Sequence, residues 1–342
     1  MTPVAELLAS RIAAHGPLPF SEVMEAALYH PKHGFYSGRG QAGRRGDFIT
    51  SPEVGPLFGA VVAQALDSWW RGYGCPESFV MIDAGAGPGT LARSIRAAAP
   101  DCLPAVRYLA VERSSAQHDS HPDGVESRVD LPPVDPTAIG VVIANELLDN
   151  LPFDLLQYDR DVGWSEVLVD VADDGLVETA VPVENPAPWI DLAGAPPQFR
   201  MPLFTEAQSW LRRALGLFGA GRVVVFDYAE QYPTDRTDWL RTYRSHEVAA
   251  DPLAELGHHD ITANVDVGAL ERVRPTDVLM TQADWLARHG IDDLVAEGKR
   301  VWSERAHLGD LAAVRARSRV AEAEALLDPE GLGRFLVLEW YM

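Results

Sequence analysis

The chain has 342 residues, 47% of them hydrophobic, which suffices for one large α/β domain with insertions or two modest domains and argues against disorder. Against 29 Lys and Arg stand 50 Asp and Glu, a formal net charge of -21 that disfavours nucleic acid as a partner and permits a basic protein segment or a cationic ligand. Only Cys75 and Cys102 occur, with no CxxC pair and no metal-ligand spacing, so neither a disulfide framework nor a metal site is predicted.

The opening "MTPVAELLASRIAAHGPLPF" lacks the charged start and long apolar core of a secretory signal and the Arg- and Ser-rich character of a mitochondrial presequence. No segment approaches the run of about 18 apolar residues that a membrane span needs. The expectation is a cytoplasmic protein without a membrane span. Two helical patterns, "VAELLASRIAAH" and "SEVMEAALYH", stop at Gly16-Pro17 and Pro31. A glycine-rich loop follows, and from Pro56 the pattern "PLFGAVVAQALDSWWRGYG" predicts a third helix ended by glycine, with Trp69 and Trp70 at its surface.

Next, "FVMIDAG", "VRYLAVE", "GVVIANE" and, much later, "RVVVFDY" read as buried strands, with "GTLARSIRAAAP" as a helix after the first. Strands alternating with helices imply α/β architecture with a parallel, doubly wound, Rossmann-like sheet. Between Leu151 and Gly221 the period changes to two around turns at Asp161 to Gly163 and Asp173 to Gly175, which predicts an inserted antiparallel β subdomain. "VENPAPWIDLAGAPPQF" is proline-rich and expected to be extended. A mostly irregular stretch then leads to "DITANVDVGALERV", and "GRFLVLEWYM" reads as a last strand, antiparallel at the edge of the sheet. The expected division is 1–78, N-terminal helices and a covering loop; 79–150, the first part of the core; 151–221, the inserted subdomain; and 222–342, the rest of the core.

The turn "MIDAGAGPGTL" separates two nucleotide classes. A dinucleotide fingerprint GxGxxG would place its third glycine at position 90, where Thr90 stands. Gly85, Gly87 and Gly89 form GxGxG after Asp83 instead, the arrangement of Rossmann-like S-adenosylmethionine sites. That cofactor carries an ammonium, which Asp83 can help to hold, and its methionine portion needs unhindered backbone beneath it. Glu112, ending "YLAVER", can accept from both ribose hydroxyls, as an acidic residue does in NAD sites too. Asp130 is a candidate for the adenine amino group or a solvated turn residue. After the strand "VVIAN" come Asn145, Glu146 and Asp149, beside the crevice at the carboxyl ends of the strands; helix capping is the competing reading for Asn145 and Asp149.

The segments "GDFITSPEVGPLFG", "DAGAGPGTL", "ANELLDNLPFD", "VVVFDYAEQY", "LRTYRSHEVAADPL" and "HHDITANVDVGAL", in this order, resemble the MidA family, related to the mitochondrial complex I assembly methyltransferase. The resemblance runs from about Pro19 to the C-terminus. It implies a seven-strand S-adenosylmethionine-dependent methyltransferase fold with an inserted subdomain, and an arginine-bearing protein as the methyl acceptor. It further implies that Gly46, Asp47, Phe48, Ile49, Thr50, Ser51, Pro52 and Glu53 cover the cofactor and shape the substrate entrance, and that Gly85, Gly87, Gly89, Thr90 and Leu91 form the cofactor loop. The family loop reads nearer to E-x-G-P-G-R-G, whereas Asp83, Ala86 and Pro88 stand here, and "RSSAQHDSHPDG" after Glu112 also departs from the pattern.

Methyl transfer to a guanidinium asks for carboxylates that orient it and receive a proton, and Glu53, Glu146 and Asp149 are the candidates. Asp227, Tyr228, Asn264 and Asp266 are candidates for the pocket wall, and Asp260 for a cap. His246, His258 and His259 lack a supporting carboxylate array and read as polar surface. A small-molecule methyltransferase and a non-catalytic assembly factor retaining the fold are the alternatives; Thr90 disfavours an NAD oxidoreductase.

Overall fold

Three apolar runs build the centre of a sheet. Phe79–Ala84 (β1) is buried at every position, Val106–Val111 (β2) is buried over its last four, and Asp135–Asn145 (β4) is buried from Val141 to Ala144. Strands buried on both faces carry no polar alternation, which is the signature of parallel pairing under helices. The computed structural model describes all residues except 39–48, 174, 184–198, 231–238, 245–246 and 250. With Glu126–Arg128 (β3), Phe218–Asp227 (β5), Val278–Thr281 (β6) and Leu336–Tyr341 (β7), the sheet has seven strands in the order β6-β7-β5-β4-β1-β2-β3. The pairs from β5 through β3 are parallel, while β7 runs antiparallel to both β5 and β6. The last strand is therefore antiparallel, as expected, but it is not at the edge: β6 lies outside it.

This sheet belongs to one of two units, formed by residues 42–147, 213–227 and 276–342. Its helices are Ser51–Val54 (α1), Pro56–Gly72 (α2), Thr90–Ala98 (α3), Gln282–Arg288 (α4), Ile291–Arg305 (α5) and Leu311–Leu326 (α6). One apolar core joins Phe58, Val62 and Leu66 of α2, Leu91 and Ile95 of α3, Trp285 of α4 and the strand residues Met81, Ile143 and Phe226. Trp69, expected to pack at a helix surface, is buried in that core beside Trp285, at a ring separation of 6.2 Å. Trp70, half-buried, donates Nε1–H to the Pro76 carbonyl at 2.9 Å.

The other unit gathers residues 1–41, 148–212 and 228–275, stretches that the sequence-based division keeps apart. Strands Asp154–Asp159, Gly163–Ala172 and Gly175–Pro182 form the expected antiparallel meander, flanked by Phe199–Leu203 and Leu18–Pro19. Val167 and Val169 are buried between half-buried Glu166, Leu168 and Asp170, the period-two pattern of a sheet with one covered face. The stretch expected to be irregular holds Leu240–Arg244, which pairs with Glu247–Ala249 and Asp260–Ala263. Most of the proline-rich stretch, 184–198, lies outside the described residues.

In the sheet unit, the start of α2 is capped from α6. The buried Glu322 carboxylate accepts from Leu57 N–H at 2.8 Å and from Ser318 Oγ at 2.7 Å, and a Cβ built on Gly55 would lie 2.3 Å from its Cδ. Glu322→Ala orphans a buried N–H, which lowers unfolding free energy by about 1–3 kcal/mol. Gly55→Ala displaces the same carboxylate, so urea denaturation of the double variant shows a loss smaller than the sum of the single losses.

Candidate functional site

The glycine loop leaves the carboxyl end of β1 and enters α3. Gly85, Gly87 and Gly89 have φ of +74°, +51° and +80°, the left-handed region that a Cβ disfavours. The N–H groups of Gly85 and Ala86 both donate to the Val111 carbonyl, at 2.9 and 3.1 Å, which ties the loop to the end of β2. A Cβ at Gly85 would lie 3.2 Å from Leu147 Cδ1, and one at Gly89 would lie 3.1 Å from His121 Cδ2. At Gly87 the nearest atom would be 3.7 Å away, so the loop is open there. Gly87 N–H donates to Glu112 Oε2 at 3.0 Å, and Ser114 N–H donates to Glu112 Oε1 at 2.8 Å.

Two residues assigned to the cofactor lie beneath the loop instead. Asp83 is 3% exposed and accepts from Tyr108 Oη–H at 2.8 Å; burial pushes its carboxyl up to about 7, with the Tyr108 hydrogen bond acting in the opposite direction. Its hydrogen-bond partner is thus a phenol of β2. Leu91 is part of the apolar core under α3. Thr90 Oγ1 accepts from Arg93 Nη2 at 2.9 Å. Asp130 is exposed and paired with Arg213 at 2.6 Å.

The end of β4 carries the second group. Glu146 has φ +51°, a conformation that costs a non-glycine residue of the order of 1 kcal/mol and is held by its surroundings. Its N–H donates to the Phe226 carbonyl at 2.8 Å. Its Oε1 accepts from Asn145 Nδ2 at 3.0 Å and from Ser51 N–H at 3.2 Å. Ser51 is itself fixed: its Oγ donates to Gln282 Oε1 at 2.8 Å, and Gln282 Nε2 donates to the Leu326 carbonyl at 3.3 Å. Asn145 therefore supports Glu146 rather than a helix end. Its Oδ1 is buried and without a hydrogen-bond partner among the described residues, an acceptor suited to an ammonium. Open Gly87, the Glu112 carboxylate at the end of β2 and this acceptor match the unhindered backbone, ribose diol and ammonium of S-adenosylmethionine. Thr50 immediately precedes α1 and Glu53 is half-buried in its first turn. Gly46, Asp47 and Phe48 lie outside the described residues.

Asp149 belongs to the other unit and caps no helix. It is buried, and its Oδ2 accepts from Thr262 Oγ1 at 2.5 Å. Its Oδ1 has no hydrogen-bond partner among the described residues. Asp260, expected to cap, begins the strand Asp260–Ala263; its Oδ1 accepts from Tyr36 Oη–H, Asn150 Nδ2 and Ile261 N–H, each at 3.0 Å. Burial pushes Asp149 up to about 6. Burial and the negative charge of Asp149 push Asp260 up to about 7. Asn264 and Asp266 serve local structure: Asn264 bonds Arg241 and Glu230, and Asp266 caps Val267–Glu271 through Gly268 N–H at 2.9 Å. Asp227 is buried at the end of β5, and Tyr228 is half-buried. His258 is exposed as expected, His259 is buried, and His246 lies outside the described residues. Among the described residues no group of three or more His, Cys, Asp and Glu is placed to hold a metal ion, and no helix is long and apolar enough to cross a membrane.

Sequence reasoning missed Tyr36, Tyr108, His121, Asn150, Thr262 and Gln282. Asn150 follows Asp149 and could have been singled out with it. Gln282 meets Ser51 across 231 positions, and nothing local in the sequence marks that contact.

Residues 61–281 match the family described as "Putative S-adenosyl-L-methionine-dependent methyltransferase". The Drosophila melanogaster mitochondrial protein arginine methyltransferase NDUFAF7 homolog is 30% identical over 321 residues, 80% of this chain and 70% of that protein. Human mitochondrial protein arginine methyltransferase NDUFAF7 is 27% identical over 334 residues, covering 85% and 74%. Among solved structures, a COG1565 superfamily member from Burkholderia thailandensis bound to S-adenosyl-homocysteine aligns with a TM-score of 0.82 at 26% identity, over 99% of this chain and 91% of that one. The glycine loop, the acidic end of β2 and these likenesses agree: the chain belongs to this S-adenosyl-L-methionine-dependent methyltransferase family and takes S-adenosyl-L-methionine as its cofactor.

Proposed function

We propose that the chain methylates a guanidino nitrogen of an arginine in a protein substrate. The observation that carries this reading is Glu146, a carboxylate held at the end of a central strand by Ser51 N–H and Asn145 Nδ2 in a strained backbone conformation. The arginine methyltransferase names of the curated relatives support the same acceptor, and a net charge of -21 favours a cationic one.

The cofactor supplies an electrophilic methyl group on a sulfonium. In-line displacement forms the N–CH3 bond as the S–CH3 bond breaks, and the guanidinium must lose a proton during or after transfer. Glu146 is assigned to orient the guanidinium through its N–H donors, draw positive charge toward the non-reacting nitrogens, and take that proton. Asp149 is a proposed cation-binding carboxylate of the other unit. Its buried Oδ1 lacks a hydrogen-bond donor among the described residues, and the guanidinium of Arg241 already acts on its charge. Tyr36 and Asn150 hold Asp260, and Thr262 holds Asp149, so both carboxyls are fixed in place. Glu53, half-buried in the first turn of α1, completes the proposed set.

Incubating an extract that lacks this protein with the enzyme and methyl-tritiated cofactor puts label on arginine in protein; label confined to small molecules contradicts the assignment and favours a metabolite acceptor. Burial raises both the Asp149 and Asp260 carboxyls above the ordinary carboxylate range, so the folded chain binds protons more readily than the unfolded one, and unfolding free energy measured by urea denaturation falls as pH rises from about 4 to about 7. Asp260→Asn removes the group with the higher pKa, so unfolding free energy falls less over the same pH range.

A further inference from the structure

Gly87, the open position of the cofactor loop, is gripped from both sides of its peptide. Glu112 takes its N–H, while its carbonyl meets His121 Nε2 at 2.9 Å. A carbonyl only accepts, so Nε2 carries the proton. In the neutral ring Nδ1 then accepts the hydroxyl proton of Ser127, 2.7 Å away on β3. The same segment is braced twice more. His118 stacks on His121 at 5.4 Å and donates Nε2–H to the Glu112 carbonyl at 2.8 Å. Arg93 Nη1 spans the Pro88 carbonyl at 2.7 Å and the Ser120 carbonyl at 3.0 Å.

We propose that His121 is a cofactor-positioning residue: it holds the Gly87 peptide, and with it Glu112, in the conformation that receives S-adenosylmethionine. A loop with glycine at alternate positions has more backbone freedom to lose on binding than one without them. Fixing its central peptide beforehand removes that cost from the binding step. Each carboxylate oxygen has two lone pairs, so Glu112 can serve Gly87 and Ser114 and still accept from a ribose hydroxyl. His121 does this work from within the stretch "RSSAQHDSHPDG", which marks this chain off from the pattern it otherwise resembles. The inference rests on the cofactor and is independent of the acceptor.

The test is calorimetric titration with S-adenosylhomocysteine, alongside kinetics with S-adenosylmethionine. His121→Phe keeps a ring against Gly89 and removes the donor, so Kd and the cofactor KM rise about tenfold, as expected for one lost hydrogen bond and a freed loop, while kcat at saturating cofactor is unchanged. His121→Gln returns an N–H donor near the Nε2 position and brings Kd back to within about twofold of the parent. Ser127→Ala leaves the ring in place but frees Nδ1, and gives an intermediate rise. A His121→Phe affinity equal to that of the parent overturns the proposal, as does a His121→Gln as weak as His121→Phe. Should His121→Phe fail to fold, an unchanged Kd in Ser127→Ala overturns it instead.

Discussion

The hydrogen bonds that converge on the Glu146 carboxylate are the constraint on which the functional end of the sheet unit depends. Ser51 N–H and Asn145 Nδ2 both donate to one oxygen, and the Glu146 backbone is anchored to the Phe226 carbonyl of the neighbouring strand. Through Ser51 the same network reaches Gln282 at the start of α4 and the Leu326 carbonyl at the end of α6. A side chain at the tip of β4 is thus positioned by elements far apart in the sequence. The left-handed conformation of Glu146 persists because these contacts over-determine it.

Burial divides the acidic residues into two kinds. Asp83, Asp149 and Asp260 are each under 5% exposed and shifted upward by desolvation, whereas Glu112 and Glu146 are half-buried at the strand ends. Asp83 has a phenol donor in Tyr108 and completes a structural pair. Asp149 lacks a hydrogen-bond donor to one oxygen among the described residues, and the burial that raises its pKa is opposed by the charge of Arg241. The backbone N–H donors on Glu112 serve the loop that the cofactor needs, and the glycines supply the conformation that loop requires.

The seven-strand core was legible because its strands are continuous apolar runs, and the meander because Gly163 and Gly175 punctuate a period of two. The GxGxG spacing pointed to the cofactor class, and the strand end pointed to Asn145, Glu146 and Asp149 as proposals. What sequence could not give is direction at a strand end. In a run buried on both faces, no alternation tells whether Asp83 faces the loop or the core, and it faces Tyr108. Leu91 and Trp69 went the same way, into the core. Asp260 looked like a cap because it opens "DITANVD", yet it is buried with Tyr36 from more than 200 positions away. Contacts such as Ser51 with Gln282, or His121 with Gly87, depend on tertiary placement and leave no periodic trace in the chain.

The central claim is that Glu146 acts on the acceptor and not on the cofactor. Single-turnover transfer by Glu146→Gln, with S-adenosylmethionine saturating and its Kd measured on the same sample, tests it most directly. The isosteric amide preserves a side-chain oxygen for Ser51 but cannot take a proton, so Kd stays within about twofold while the transfer rate falls by about a hundredfold or more. A transfer rate equal to that of the parent would contradict the account, as would a fall explained entirely by lost cofactor affinity.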